Sequence, residues 1–143
     1  MSLKFQSNGN LEVGIHSLSW IDFTSNFGFN EHRKKLIRGL ALAIEHLKAC
    51  GCQILYIDGS FVTQKTNPSD FDACWDRTGI NLITMRTLYP TLVDFRNERK
   101  NQKDLYMGEI FPMHVVADEY NTFIDFFQLD KDGTSKGIVK LTL

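Results

Sequence analysis

The sequence predicts an α/β (α+β) domain with helices packed against a mixed β-sheet. Short apolar runs of strand character, at 53–57, 70–75, 109–111 and 138–143, alternate with segments of helical period. One of those segments, from Asn30 to Gly51, is long and amphipathic. The composition is globular: 143 residues, 43% hydrophobic and 23% charged, with 11 Phe, 3 Pro and 10 Gly, and no repeat, low-complexity tract or linker to divide the chain. That length suits a single domain over 1–143, since domains run to roughly 100–200 residues. We expect residues 1–29 to form an N-terminal extension and 30–143 the core.

The extension is mixed and rich in turn formers. Leu11, Val13 and Ile15 alternate with Glu12 and Gly14, which predicts one short strand. The long helix starts at Asn30, whose side chain suits a first-turn N–H. Leu36, Leu40, Ile44 and Leu47, with Ile37 and Ala43, form one apolar stripe. Arg33, Lys34, Lys35, Arg38, Glu45 and Lys48 read as the solvated face, and Gly51 as the stop. Gln53–Ile57 is a buried strand running into Asp58-Gly59-Ser60. Asp70-Phe71-Asp72-Ala73-Cys74-Trp75 alternates strictly and is a second strand. Asn81–Leu88 reads as helix, Leu92-Val93 as a brief strand or helix end, and the charged run Asn97–Tyr106 as a surface helix. Glu109-Ile110-Phe111 is a third strand, with Pro112 suiting an end or edge. The period of Thr122–Leu129 does not decide helix from strand. Asp130–Gly133 is a turn, and Ile138–Leu143 a last strand.

Net charge is −1, from 16 basic and 17 acidic residues, which argues against a protein whose main business is coating nucleic acid. No apolar run approaches the roughly 18–20 residues of a membrane span. The N-terminus lacks the charged-then-greasy pattern of a signal peptide. Cys50, Cys52 and Cys74 are odd in number and wrongly spaced for a zinc site, so they read as small buried apolar residues in a reducing, cytoplasmic setting. His114 beside an apolar run reads as structural, and His16, His32 and His46 carry no signal.

The chemistry concentrates in Gly59-Ser60, nine residues, then Asp70-Phe71-Asp72. Alternation points Asp70 and Asp72 to one side and Phe71, Ala73 and Trp75 to the other. Two carboxylates held together repel unless something positive lies between them. Mg²⁺ (or Mn²⁺), a hard cation that prefers oxygen ligands, meets that need. Gly59 permits close approach of a phosphate, Ser60 can donate its hydroxyl to it, and Lys65 can reach it. A phosphate grip beside a carboxylate pair suits phosphoryl or nucleotidyl transfer. Arg96, Arg99, Lys100 and Lys103 read as the solvated side of a helix, balanced by Glu98 and Asp104.

This arrangement resembles the nucleotidyltransferase superfamily, with its polymerase-beta-like palm fold. The family pattern is a strand, Gly-Gly or Gly-Ser, a gap of similar length, then Asp, an apolar residue, and Asp or Glu. Asp58 departs from it, standing where the family has an apolar residue; it is either a turn residue or a further acid near the site. The wider stretches Leu55–Lys65, Asp70–Asp76, Gly108–Pro112 and Phe126–Val139 are similar to small, uncharacterised bacterial and phage proteins of nucleotidyltransferase-like type. The resemblance implies a third carboxylate on an adjacent strand, for which Glu109 is favoured and Asp94 is the alternative. It further implies a metal-dependent enzyme that moves a nucleoside monophosphate from a nucleoside triphosphate to a hydroxyl on a protein, RNA or small molecule. So short a chain leaves little for an acceptor-binding domain, so a protein partner or dimer mate is expected to supply that surface, as in antitoxins that modify a helical toxin. The competing expectation is a catalytically inactive binding module of the same type acting through a partner protein. A nucleic-acid end-modifier is disfavoured by the charge.

Overall fold

In chain order the protein, a computed structural model describing residues 3–114, 122–129, 133 and 135–143, forms a series of short elements. These are β1 (Ile15–Leu18), α1 (Trp20–Phe27), α2 (Glu31–Ala49), β2 (Ile54–Asp58), β3 (Phe71–Trp75), α3 (Leu82–Leu88), α4 (Arg96–Tyr106), β4 (Gly108–Pro112), α5 (Phe123–Phe127) and β5 (Ile138–Thr142), with 3-10 turns at Ser60–Val62 and Pro90–Val93. The strands make one open sheet in the order β1-β5-β2-β3-β4. β1 lies parallel to β5 and β3 to β4, while β2 is antiparallel to both of its neighbours. The fold is α+β, a mixed sheet with helices, as the alternation of patterns implies.

Period-2 alternation divides the strand residues between two faces. Leu55, Ile57, Phe71, Ala73, Trp75, Ile110, Val139 and Leu141 join the main core with Phe23 and Phe27 of α1 and Leu36, Leu40, Ala43 and Leu47 of α2. Tyr56, Cys74 and Ile138 form a smaller cluster on the other face, packed by Phe111, Phe123 and Ile124. Asn30 caps α2 by accepting the Arg33 N–H at 2.8 Å, and Asn81 caps α3 by accepting that of Thr84 at 3.1 Å. Gly39 lets α2 meet the α4–β4 junction: a Cβ there would sit 2.1 Å from the Tyr106 carbonyl oxygen.

Several expectations need correction. The strand expected around Leu11–Ile15 starts only at Ile15; Leu11 is buried but makes a single bridge to Phe5. The extension also contains α1, which turn-rich flanks conceal in the sequence. Ser19 caps it by accepting the Asp22 N–H. Leu92-Val93 belongs to a 3-10 turn, and the undecided 122–129 segment is helical at 123–127. α4 is not wholly a surface helix, because Gln102 and Tyr106 are buried in it. The Gln102 side chain bridges the Leu92 carbonyl and the Ile110 N–H, tying α4 to β4. The cysteines are free and buried, as expected of small core residues. Of the turn expected at 130–133, only Gly133 falls within the described residues. Among the described residues no helix is long and apolar enough to cross a membrane.

Candidate functional site

β3 carries its apolar residues into the main core and so turns Asp72 to the opposite face. Register then does what the local pattern does not display. Asp58, the last residue of β2, is the Cα partner of Asp72, and Asp72 is the partner of Glu109 on β4. Three acids thus stand abreast on adjacent strands, whose usual separation is about 4.7–4.9 Å. Asp70 lies just ahead of β3 and adds a fourth negative charge.

The row is electrostatically costly, and its titration reflects that. Burial is the main cause that holds the Asp72 carboxyl well above the usual carboxylate range. The charges of Asp70, Glu109 and Asp58 and a hydrogen bond shared with Glu109 push it further the same way. Burial likewise raises Asp70, with Glu109 adding to the effect and Lys103 and Arg99 opposing it. Asp58 is pushed up to about 6 by burial, although Lys136 pulls the other way. The Lys136 Nζ lies 3.0 Å from Asp58 Oδ1, and both side chains are enclosed, at 13% and 8% exposed.

The second half of the neutralisation comes from α4. Lys103 Nζ approaches Glu109 Oε1 at 3.0 Å and Arg99 Nη2 approaches it at 3.5 Å, with the Arg99 guanidinium also over the Phe111 ring. These two residues depart from the solvated face expected of them, whereas Lys100 keeps to it in an exposed pair with Asp104. Arg99 is delivered by an unusual backbone. Asn97, Glu98 and Arg99 have φ of 51°, 55° and 62°, a run of left-handed residues that contains no glycine. Such residues each cost roughly 1–2 kcal/mol. Arg99 Nε is buried with no hydrogen-bond partner among the described residues.

Next to the row, Gly59 turns the chain out of β2 with φ 80° and ψ −171°, a region essentially open only to glycine. It also lies against the row, since a Cβ at Gly59 would sit 2.3 Å from Asp72 Oδ2. Beyond it, Ser60, Thr63, Gln64 and Lys65 line a cavity of about 870 Å³ together with Asp58, Asp72 and Lys136. The N-terminal turn Ser7–Asn10 also lines it. That turn is fastened to the segment by the Gln64 N–H, which donates to the Gly9 carbonyl at 3.2 Å, and by a bridge between Asn10 and Thr63. Residues 7–10 line the cavity although nothing in their local pattern points at a site.

Arg33 is the largest departure from expectation. Instead of sharing a solvated face with Lys34 and Lys35, it is fully buried. Its guanidinium donates to the carbonyls of Phe27 (3.1 Å), Phe61 (2.7 Å), Thr63 (2.9 Å) and Lys65 (3.0 Å from Nε), with Ser60 at 3.5 Å. It stacks on Phe29 at 4.3 Å and Phe61 at 5.0 Å. Burial lowers its pKa to about 10, which leaves it charged at neutral pH.

Of the acids singled out in the sequence, Asp70, Asp72 and Glu109 are therefore brought together, and Asp58 joins them as an acid rather than a turn residue. Asp94 stands elsewhere, ahead of α4, where hydrogen bonds from Arg96 and Asn101 hold its carboxyl far below the usual range. Gly59, Ser60 and Lys65 share the cavity with Asp72, while Asp70 and Glu109 lie outside its lining. His114 sits beyond the other end of β3, 3.8 Å from Asp76.

An all-carboxylate donor set matches the chemistry of a hard divalent cation. As the side chains are placed, no three His, Cys, Asp or Glu among the described residues form a group able to hold a metal ion. Lys103 and Arg99 stand against Glu109, and Lys136 against Asp58. No curated protein and no solved structure matches the chain. A family model does match, over residues 3–142, and on that extent the chain belongs to DUF6932, a family of unknown function.

Proposed function

We propose that the protein is a minimal, metal-dependent nucleotidyltransferase. The single observation that carries this reading is the acid row Asp58–Asp72–Glu109, in register on three strands, with Asp70 beside it and the Gly59-Ser60 cavity opening onto Asp72. Asp70, Asp72 and Glu109 would hold Mg²⁺ or Mn²⁺, which supplies charge neutralisation to the phosphates and activates an acceptor hydroxyl. Ser60 and Lys65 would bind the phosphates of a nucleoside triphosphate, and Lys136 lies in the same lining to join them. In the transfer, the acceptor oxygen forms a bond to the α-phosphorus. The bond from that phosphorus to the bridging oxygen breaks, pyrophosphate leaves, and the hydroxyl proton is released. The acceptor is a hydroxyl on a protein, RNA or small molecule, with a partner protein or dimer mate presenting it, as in an antitoxin acting on its toxin.

A second reading has its own supporting observation. Glu109 is already engaged by Arg99 and Lys103 and shares a hydrogen bond with Asp72. A site balanced in this way without metal also suits an inactive nucleotidyltransferase-like module that binds a nucleotide or partner protein without turnover.

The test is thermal shift with each nucleoside triphosphate, with and without Mg²⁺ or Mn²⁺, on the wild type and on Asp70→Asn/Asp72→Asn. A ligand that binds only the folded state raises the melting temperature. The transfer reading expects a metal-dependent shift that the double variant loses, and pyrophosphate release once an acceptor is supplied. A shift that survives the double substitution favours the binding module. No shift with any nucleotide counts against the transfer reading and favours a module that acts through a partner protein.

A further inference from the structure

Arginine is rarely buried without a carboxylate, and Arg33 forms no ion pair among the described residues. All three of its nitrogens are instead spent on backbone carbonyls, and four of the carbonyls, those of Ser60, Phe61, Thr63 and Lys65, belong to one short segment. That segment is the cavity wall that follows Gly59. A planar guanidinium presents its N–H donors in a fixed fork, so it dictates where those carbonyls lie as well as attracting them. Because a peptide's N–H points opposite to its C=O, a carbonyl drawn toward Arg33 turns the following amide away from it.

Other contacts reinforce the same shape. The Thr63 hydroxyl donates to the Ser60 carbonyl at 2.6 Å and accepts from the Lys65 N–H at 3.1 Å. The Asn30 side chain, which caps α2, donates to the Thr66 carbonyl at 2.7 Å. The start of α2 therefore acts as a jig for residues 60–66. Arg33 is absent from the cavity lining, so it works from behind the wall. Its buried positive charge is screened less than an exposed one and favours an anion in front of the wall.

We infer that Arg33 is a positioning residue, which holds Ser60–Lys65 in the shape that receives a ligand's phosphates without itself touching the ligand. The inference rests on the transfer reading for the identity of the ligand, and on the geometry alone for the control of the segment.

Two measurements on Arg33→Lys test it. Lysine keeps the charge and most of the length but has one head group in place of the fork. Calorimetric titration with ATP and Mg²⁺, well below the melting temperature, should give binding about 10–100-fold weaker than in the wild type. Amide hydrogen exchange should speed up by a comparable factor over residues 60–66, while the body of α2 keeps its protection. A purely structural arginine would lower the melting temperature but leave the affinity of the folded variant unchanged. Affinity within about twofold of wild type, or unchanged exchange at 60–66, overturns the inference. Wild-type protein that binds neither ATP nor tripolyphosphate overturns the transfer reading, and the exchange data then still decide whether Arg33 sets the segment's shape. Should Arg33→Lys not fold, Phe29→Ala removes only the exposed ring under the guanidinium. It should give a smaller loss, about threefold, in the same two measurements.

Discussion

Gly59→Ala is the sharpest test of how the cavity wall meets the acid row. Its cost has two separable sources. The backbone at φ 80°, ψ −171° is nearly closed to residues with a Cβ, which costs about 1–3 kcal/mol. The added methyl would also stand 2.3 Å from Asp72 Oδ2, so the carboxylate must swing aside. Asp72 has two torsions with which to do so, but it shares a hydrogen bond with Glu109 that holds it in place. Together these amount to about 2–4 kcal/mol. Urea unfolding followed by tryptophan fluorescence reads this directly, because Trp75 lies on the same strand as Asp72 and is buried. The same substitution made in an Asp72→Ala background should lose the contact share and keep the backbone share, so the two changes couple. A Gly59→Ala variant within about 0.5 kcal/mol of wild type would refute the reasoning, since that is the range of inconsequential surface changes. An equal loss in both backgrounds would refute the contact with Asp72 and leave only the backbone argument.

Further expectations follow from the charges and from α4. With metal chelated, the folded state should hold extra protons at Asp58, Asp70 and Asp72, so the stability they contribute is complete below about pH 4 and falls as pH rises, the Asp58 share being lost through about 6. The urea midpoint should accordingly be higher at pH 5 than at pH 8, and the reverse order would exclude a costly acid row. Asp72→Asn, which removes the most crowded charge, should raise the melting temperature at pH 8 while abolishing metal-dependent nucleotide binding; a lowered melting temperature would count against the electrostatic account. Lys136→Met leaves Asp58 enclosed without its cation and should cost about 2–3 kcal/mol at pH 8 but much less at pH 5. Equal losses at the two pH values would mean that the pair contributes packing alone. Glu98→Gly, at an exposed left-handed position, should stabilise by about 0.5–1 kcal/mol in the same unfolding assay, and a destabilised variant would argue against the left-handed turn.

What the sequence made legible was whatever a local period or cap encodes. Asp70-Phe71-Asp72 displays its two faces because a strand has period two, and Asn30 announces α2 because an amide at that point has an N–H to accept. Glu109 was legible as the start of an apolar strand. What stayed hidden depends on partners distant in the chain. Asp58 becomes part of the row only through its register with β3, and Lys136 reaches it from just ahead of β5. Arg33 looks like its neighbours Lys34 and Lys35, and only the fold of 60–65 around it makes it a buried residue. The helix α1 is short, with Phe23 and Phe27 as its buried contacts, too few for a period to emerge between turn formers. The left-handed turn at 97–99 contradicts the preferences of its own residues, so no propensity argument finds it.

The position of β5 has a consequence for synthesis. It is the last strand in chain order, yet it lies between β1 and β2, and among the described residues it is the only sheet neighbour of β1. As the chain leaves the ribosome, β2, β3 and β4 can pair as soon as residue 112 has emerged, and Asp58, Asp72 and Glu109 come abreast at that stage. One edge of β2, with Leu55 and Ile57, then waits uncovered until residues 138–142 arrive, a bare template of the kind that invites pairing with other chains. β1, made before β2, waits longer still. Lys136 arrives with β5, so the nascent row carries Asp58 without its cation until the final strand is in place.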